Sequence, residues 1–128
     1  MAMPIDPPRH PGAVAPERTH HVDSDGVSLC VYEWGDPDAM PLLLLHGLWD
    51  TGRGFDAFAP CFADAYRVVA YDARGHGESD WVDVYSWDMD VRDVGHLLAW
   101  LGRPAHVVGH SRGGGVGMDA AVAYPERV

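Results

Sequence analysis

A chain of 128 residues, 47% apolar and with five tryptophans, is enough for one packed domain and too little for two, which excludes global disorder. Its net charge of −10 has the wrong sign for a phosphate backbone, so nucleic acid is excluded as the expected partner. No run approaches the ~18 apolar residues of a membrane span, no signal peptide opens the chain, and Cys30 and Cys61 are too few and too far apart for a disulfide framework or a zinc site. The default expectation is a cytoplasmic protein with two separate thiols.

Lysine, asparagine and glutamine are absent and Ile5 is the only isoleucine, a codon bias that points to a high-GC bacterial source. Residues 1–18 carry Pro4, Pro7, Pro8, Pro11 and Pro16 without periodicity, the composition of a disordered leader. From Thr19 onward two strands are expected, joined by the turn Ser24-Asp25-Gly26, and the second, Val27 to Trp34, stops at Gly35-Asp36-Pro37. Three unbroken apolar runs follow: Leu42 to Leu45, Val68 to Tyr71, and Ala105 to Val108. Runs this short and continuous predict strands buried on both faces of a largely parallel sheet.

Helical patterns lie between the runs. Phe55, Phe58, Ala59 and Phe62 recur at helical spacing, and Pro60 predicts that a helix begins near it. Trp87, Val91, Val94, Leu98 and Leu101 form one stripe over Ser86–Leu101, with Asp88, Asp90 and Arg92 pointing elsewhere. Ser86 is a suitable N-cap, and Gly102 before Pro104 a suitable stop. A last helix is expected from about Arg112 to Tyr124. The alternation predicts an α/β fold built from βαβ units with right-handed crossovers.

The most specific chemical feature is Gly109-His110-Ser111-Arg112-Gly113, between an apolar strand and a helix. A serine at so sharp a turn is forced outward at the carboxyl end of the sheet, and the glycines leave room where the chain approaches itself. The helix behind it offers free N–H groups to a developing oxyanion. Two further motifs end strands upstream: His46-Gly47-Leu48, and Asp72-Ala73-Arg74-Gly75-His76-Gly77-Glu78-Ser79.

These three motifs in this order resemble the α/β-hydrolase superfamily, from about Thr19 to the last residue. The resemblance implies a serine-nucleophile hydrolase of carboxylic esters or related acyl substrates, with no cofactor and no metal. It assigns Ser111 as nucleophile and the backbone N–H groups of Leu48 and Arg112 as the oxyanion hole. His46, Gly47, Gly109, His110 and Gly113 take structural roles in the oxyanion loop and elbow, and Asp72 to Ser79 forms a structural loop. His20 and His21 match no motif and are expected to be ordinary strand residues. An arginine after the nucleophile also resembles the elbow of epoxide hydrolases and haloalkane dehalogenases, but those use aspartate, and serine favours acyl transfer.

In this superfamily the acid and then the histidine base follow the nucleophile. No histidine follows Ser111, and Asp119 lies on the elbow helix, where the family keeps no triad acid. The expectation is therefore the N-terminal part of a hydrolase domain over residues 19–128, ending after the elbow helix, lacking acid, base and cap, and inactive alone. Its elbow strand would be an unpaired edge open to self-association. The alternatives are a non-catalytic remnant or binding module of the same fold and, more weakly, a nucleotide-binding protein suggested by Gly113-Gly114-Gly115, which lacks both G-x-G-x-x-G after the first strand and a P-loop lysine.

Overall fold

A computed structural model describes residues 10–128. Strands β1 (Arg18–Ser24) and β2 (Val27–Trp34) form an antiparallel hairpin in which Ser24 faces Val27. Its two turn residues, Asp25 and Gly26, both have positive φ, 50° and 89°. Asp-Gly suits such a turn because its twist matches that of the flanking strands.

Strands β3 (Met40–Leu45), β4 (Tyr66–Tyr71) and β5 (His106–Gly109) complete a five-stranded mixed sheet in the order β1-β2-β4-β3-β5. The pairs β3–β4 and β3–β5 are parallel, while β1–β2 and β2–β4 are antiparallel. The chain leaves β3 for β4 on one side and returns past it to β5 on the other. The strand order thus reverses at β3, and a crevice at the carboxyl ends of such strands is where α/β sheets bind ligands.

The leucines of β3 alternate between two cores, as a strand period of two requires. Leu43 and Leu45 join Val31, Val69 and Tyr71 beneath helices α1 (Trp87–Leu101) and α2 (Arg112–Ala123). Leu42 and Leu44 join Tyr32, Trp34, Val68 and Ala70 on the opposite face, against Ala59, Phe55 and Phe62. The third apolar run behaves differently from the first two. Val108 is 41% exposed, because β5 is the edge strand and nothing among the described residues covers its outer side.

The caps of α1 are those expected: Ser86 accepts the Met89 N–H at 3.2 Å, and Gly102 has φ 76°. Two other expectations are corrected. No α-helix forms around Pro60; the segment makes short 3-10 turns at Gly52–Phe55 and Ala59–Cys61, with Pro60 in the first turn of the second. The Gly52 N–H, free at the start of the first turn, is taken up by Asp72 at 2.7 Å. Asp90, expected to point away from the core, is buried together with Asp93, and both hold arginines from other elements.

Of the 1–18 leader, residues 1–9 lie outside the described residues. Within the remainder, Val14 donates its N–H to Asp56 O at 2.8 Å and accepts from the Trp34 indole at 2.9 Å. The two histidines of β1 also have defined partners. His20 meets the buried Glu33 at 2.5 Å, beside Arg18 and Arg67, and His21 meets Ser28 Oγ at 3.3 Å.

Candidate active site

The turn between β5 and α2 is as tight as its glycines imply. A Cβ on Gly109 would collide with the Gly113 carbonyl, and a Cβ on Gly113 with the Leu45 carbonyl of β3. The His110 N–H donates to that same Leu45 carbonyl at 2.9 Å, so the turn is fastened to the central parallel strand. Ser111 sits at the apex with φ 53° and ψ −119°, a conformation that costs a non-glycine residue of order 1–3 kcal/mol. Its side chain is exposed and does not cap the helix it precedes.

The loop after β3 lies directly against this turn. A Cβ on Gly47 would stand 3.2 Å from His110 Nδ1 and 3.3 Å from Ser111 Cβ. Leu48 and Trp49 project into solvent, and Trp49 has φ 64°. Among the described residues, neither the Leu48 N–H nor the Arg112 N–H donates to any acceptor. Two free main-chain donors therefore flank Ser111. His46, by contrast, is buried and fully engaged. One ring nitrogen, Nδ1, meets the Gly47 carbonyl at 2.7 Å, and Nε2 accepts the Ala73 N–H at 2.9 Å. Burial pushes its pKa below the ordinary histidine value, the Gly47 bond opposes this, and His76 nearby adds to it.

The loop from Asp72 to Ser79 is a web of satisfied groups. Asp72 is wholly buried and accepts from Tyr32 Oη, the Gly52 N–H and the Glu78 N–H at 2.7, 2.7 and 2.8 Å. Ser79 Oγ donates to the Asp72 carbonyl at 2.5 Å and accepts the Cys30 N–H at 2.8 Å. Arg74 forms a two-pronged ion pair with Asp93 at 2.7 Å, and Ser24 Oγ donates to the same carboxylate at 2.5 Å. The bond from Asp93 is the main reason that Arg74 is held above the ordinary arginine value.

Sequence reasoning missed one feature of the elbow, the surroundings of the Arg112 side chain. It is ion-paired to Asp90 and lies 5.0 Å from the centre of the Trp87 ring, whose Nε1 donates to Asp119 at 2.6 Å. The start of α1 is thereby clamped to the start of α2. Asp119 is exposed and its carboxylate is taken up by this contact with Trp87.

A cavity of about 380 Å³ opens between the loop after β3, residues 71–85 and the starts of both helices. Leu48, Trp49, Trp81, Val82 and Tyr85 give it an apolar rim, and its wall includes Gly47, Arg112 and Gly113 but not Ser111 itself. Among the described residues, nothing is hydrogen-bonded to the Ser111 side chain, and no three His, Cys, Asp or Glu side chains are grouped to hold a metal. No described helix is long and apolar enough to cross a membrane.

The model of the alpha/beta hydrolase family matches residues 42–128, the stretch that contains both strand-end loops and the elbow. The chain belongs to the α/β-hydrolase family. A non-heme chloroperoxidase of Streptomyces lividans is 37% identical over 114 residues, covering 82% of this chain and 40% of that protein. A bifunctional esterase/perhydrolase of Acinetobacter calcoaceticus is 38% identical over 104 residues, 79% of this chain and 38% of that protein. Among solved structures, the thioesterase domain from the curacin biosynthetic pathway superposes with a TM-score of 0.82 at 28% identity, over 87% of this chain and 41% of that one. The chain spans 17% to 40% of the length of curated relatives such as these.

Proposed function

We propose that this α/β-hydrolase chain carries the nucleophile half of a serine hydrolase acting on carboxylic esters or related acyl substrates. Ser111 Oγ attacks the acyl carbonyl, and the Leu48 and Arg112 N–H groups receive the oxyanion of the tetrahedral intermediate. Water then hydrolyses the acyl-enzyme. The observation that carries this reading is the pairing of a strained, uncapped Ser111 with two main-chain donors that no other group uses. Two of the three relatives named above carry the same chemistry, since esterase and thioesterase both describe acyl transfer to water, while the chloroperoxidase is named for a different one. The apolar rim of the cavity fits an uncharged acyl or alcohol group.

A serine at its ordinary pKa needs a base. The histidines nearest the elbow do not supply it here: His46 and His76 spend both ring nitrogens on backbone groups, and His110 is not bonded to Ser111. In the proposed reaction, acid and base come from residues beyond these 128. The absence of a bonded base favours a second reading for the chain taken alone, in which the fold binds acyl compounds without turning them over.

A fluorophosphonate probe separates the two. Labelling of the natural gene product that is abolished in Ser111→Ala, which has no oxygen for the probe to bond to, supports the hydrolase. Failure to label that gene product supports the binding module.

A further inference from the structure

Resting on that reading, we propose that His76 is a positioning residue for the Leu48 donor, holding the peptide unit on one side of Leu48 while His46 holds the other. The backbone between Gly47 and Asp50 has little else to fix it. Trp49 is in the left-handed region at φ 64°, and its side chain is 86% exposed, so packing does not impose that conformation. The hydrogen bonds do. The Trp49 N–H donates to His76 Nε2 at 3.2 Å, and the Asp50 N–H closes the turn onto the Gly47 carbonyl at 3.2 Å.

The tautomer follows from the partners. His76 Nδ1 lies 3.0 Å from the Arg74 carbonyl, which can only accept, so Nδ1 carries the proton and Nε2 presents its lone pair to Trp49. His46 repeats the arrangement: its Nδ1 proton faces the Gly47 carbonyl, and its Nε2 lone pair faces the Ala73 N–H. The two ring centroids are 5.1 Å apart. Each imidazole thus bridges the oxyanion loop and the loop after β4, and each does so in the neutral Nδ1–H form.

The consequence for Leu48 is geometric. Its N–H belongs to the planar unit that includes the Gly47 carbonyl, which His46 holds. The next planar unit contains the Trp49 N–H, which His76 holds. With both planes fixed, the Leu48 N–H has one direction, opposite to the Gly47 carbonyl. Without His76, the second plane is free to rotate and the positive φ at Trp49 can relax, which carries the Asp50 N–H off the Gly47 carbonyl and leaves the first plane, with the Leu48 N–H, held by His46 alone. A donor prearranged in this way costs no reorganisation during reaction, whereas a displacement of an ångström lowers the rate steeply.

The test begins on the natural gene product labelled with ¹⁵N. Long-range ¹H–¹⁵N spectra are expected to show His46 and His76 both as Nδ1–H tautomers, and an Nε2–H tautomer at His76 overturns the proposal. In His76→Phe, which keeps a ring but has no acceptor, the Trp49 amide is expected to exchange at least about tenfold faster than in the parent while β3 amides do not change. In His76→Gln, whose carbonyl oxygen can accept, protection is expected to return. Equal exchange in all three chains also overturns it. Should His76→Phe lose protection throughout, the tautomer and the Gln chain decide.

Fluorophosphonate labelling of Ser111 in the natural gene product is then expected to fall about tenfold to a hundredfold in His76→Phe, with saturation by probe unchanged, and to recover in His76→Gln. An unchanged rate in the Phe variant overturns the positioning role. A wild type that never labels, with the Nδ1–H tautomer present, removes the serine-hydrolase reading and leaves His76 as a clasp of the loop alone, so the two failures differ.

Discussion

The loop after β4 and the turn after β5 both end parallel strands in glycine-rich sequence, yet they treat their polar groups in opposite ways. Around Asp72 the buried side chains are answered: Tyr32, Gly52 and Glu78 converge on one carboxylate, and Arg74, Asp93 and Ser24 close a second knot beside it. Among the described residues no buried side-chain nitrogen or oxygen lacks a partner. Around Ser111 the hydroxyl is uncapped, two amides are unused, and the strand behind them is a sheet edge. Saturation makes the first region a rigid frame. The unspent groups of the second are what a substrate, or further protein, can engage.

The comparison breaks most decisively at Asp72. Asp72→Ala strips the acceptor from three donors at once, two of them buried, and is expected to cost about 3–5 kcal/mol, read as a lower urea midpoint at an unchanged slope. A loss under about 1 kcal/mol would mean that water replaces the carboxylate, and the loop would not be the rigid partner of the contrast.

Acid sharpens the same contrast. At the other end of the sheet, Glu33 is buried, which raises its pKa, but bonds from Arg67, His20 and Arg18 together outweigh burial and leave it below the ordinary glutamate value of 4.5. Its stabilisation is present above that value and is lost as pH falls through the lowered folded value. His46 is likewise held below the ordinary 6.5, so its contribution begins to decline once pH drops below that point and the unfolded chain takes up a proton first. Melting temperature is expected to fall in two stages between about pH 7 and about pH 3, the first stage absent in a His46→Gln variant. A flat profile above pH 5 would remove His46 from the set of groups held neutral by the fold.

The smallest effect on stability is expected at the open edge. We propose that β5 mediates self-association of the 128-residue chain, because Val108 is 41% exposed on an edge strand. Val108→Lys is expected to change stability by less than about 0.5 kcal/mol while lowering the apparent mass in sedimentation. A parent chain that is already monomeric would show that the edge is not an adhesive surface.

Much of this was legible in the sequence because strand ends carry punctuation. His46-Gly47, Asp72 to Ser79 and Gly109 to Gly113 each mark where a buried run stops, and Ser86 with Gly102 marks both ends of α1. What escaped depended on partners far along the chain. An apolar stripe counts Asp90 as surface and is silent on Asp93, since only the arrival of Arg112 and Arg74 makes their burial tolerable. The aromatic spacing of Phe55, Phe58 and Phe62 is real, with neighbouring rings 6.0 and 4.9 Å apart, but 3-10 turns present the same side chains together as an α-helix would. The sequence places His76 only within a structural loop, because its two backbone partners are invisible without the fold.

The backbone at Ser111 has one further consequence. A residue with φ 53° and no side-chain cap would fold more comfortably as glycine, and Ser111→Gly is expected to raise the melting temperature, by a relief of about 1 kcal/mol, while leaving nothing for an acyl group to bond to. At this one position the preference of the fold and the demand of the proposed chemistry select different amino acids, and the residue present is the one that the proposed chemistry needs.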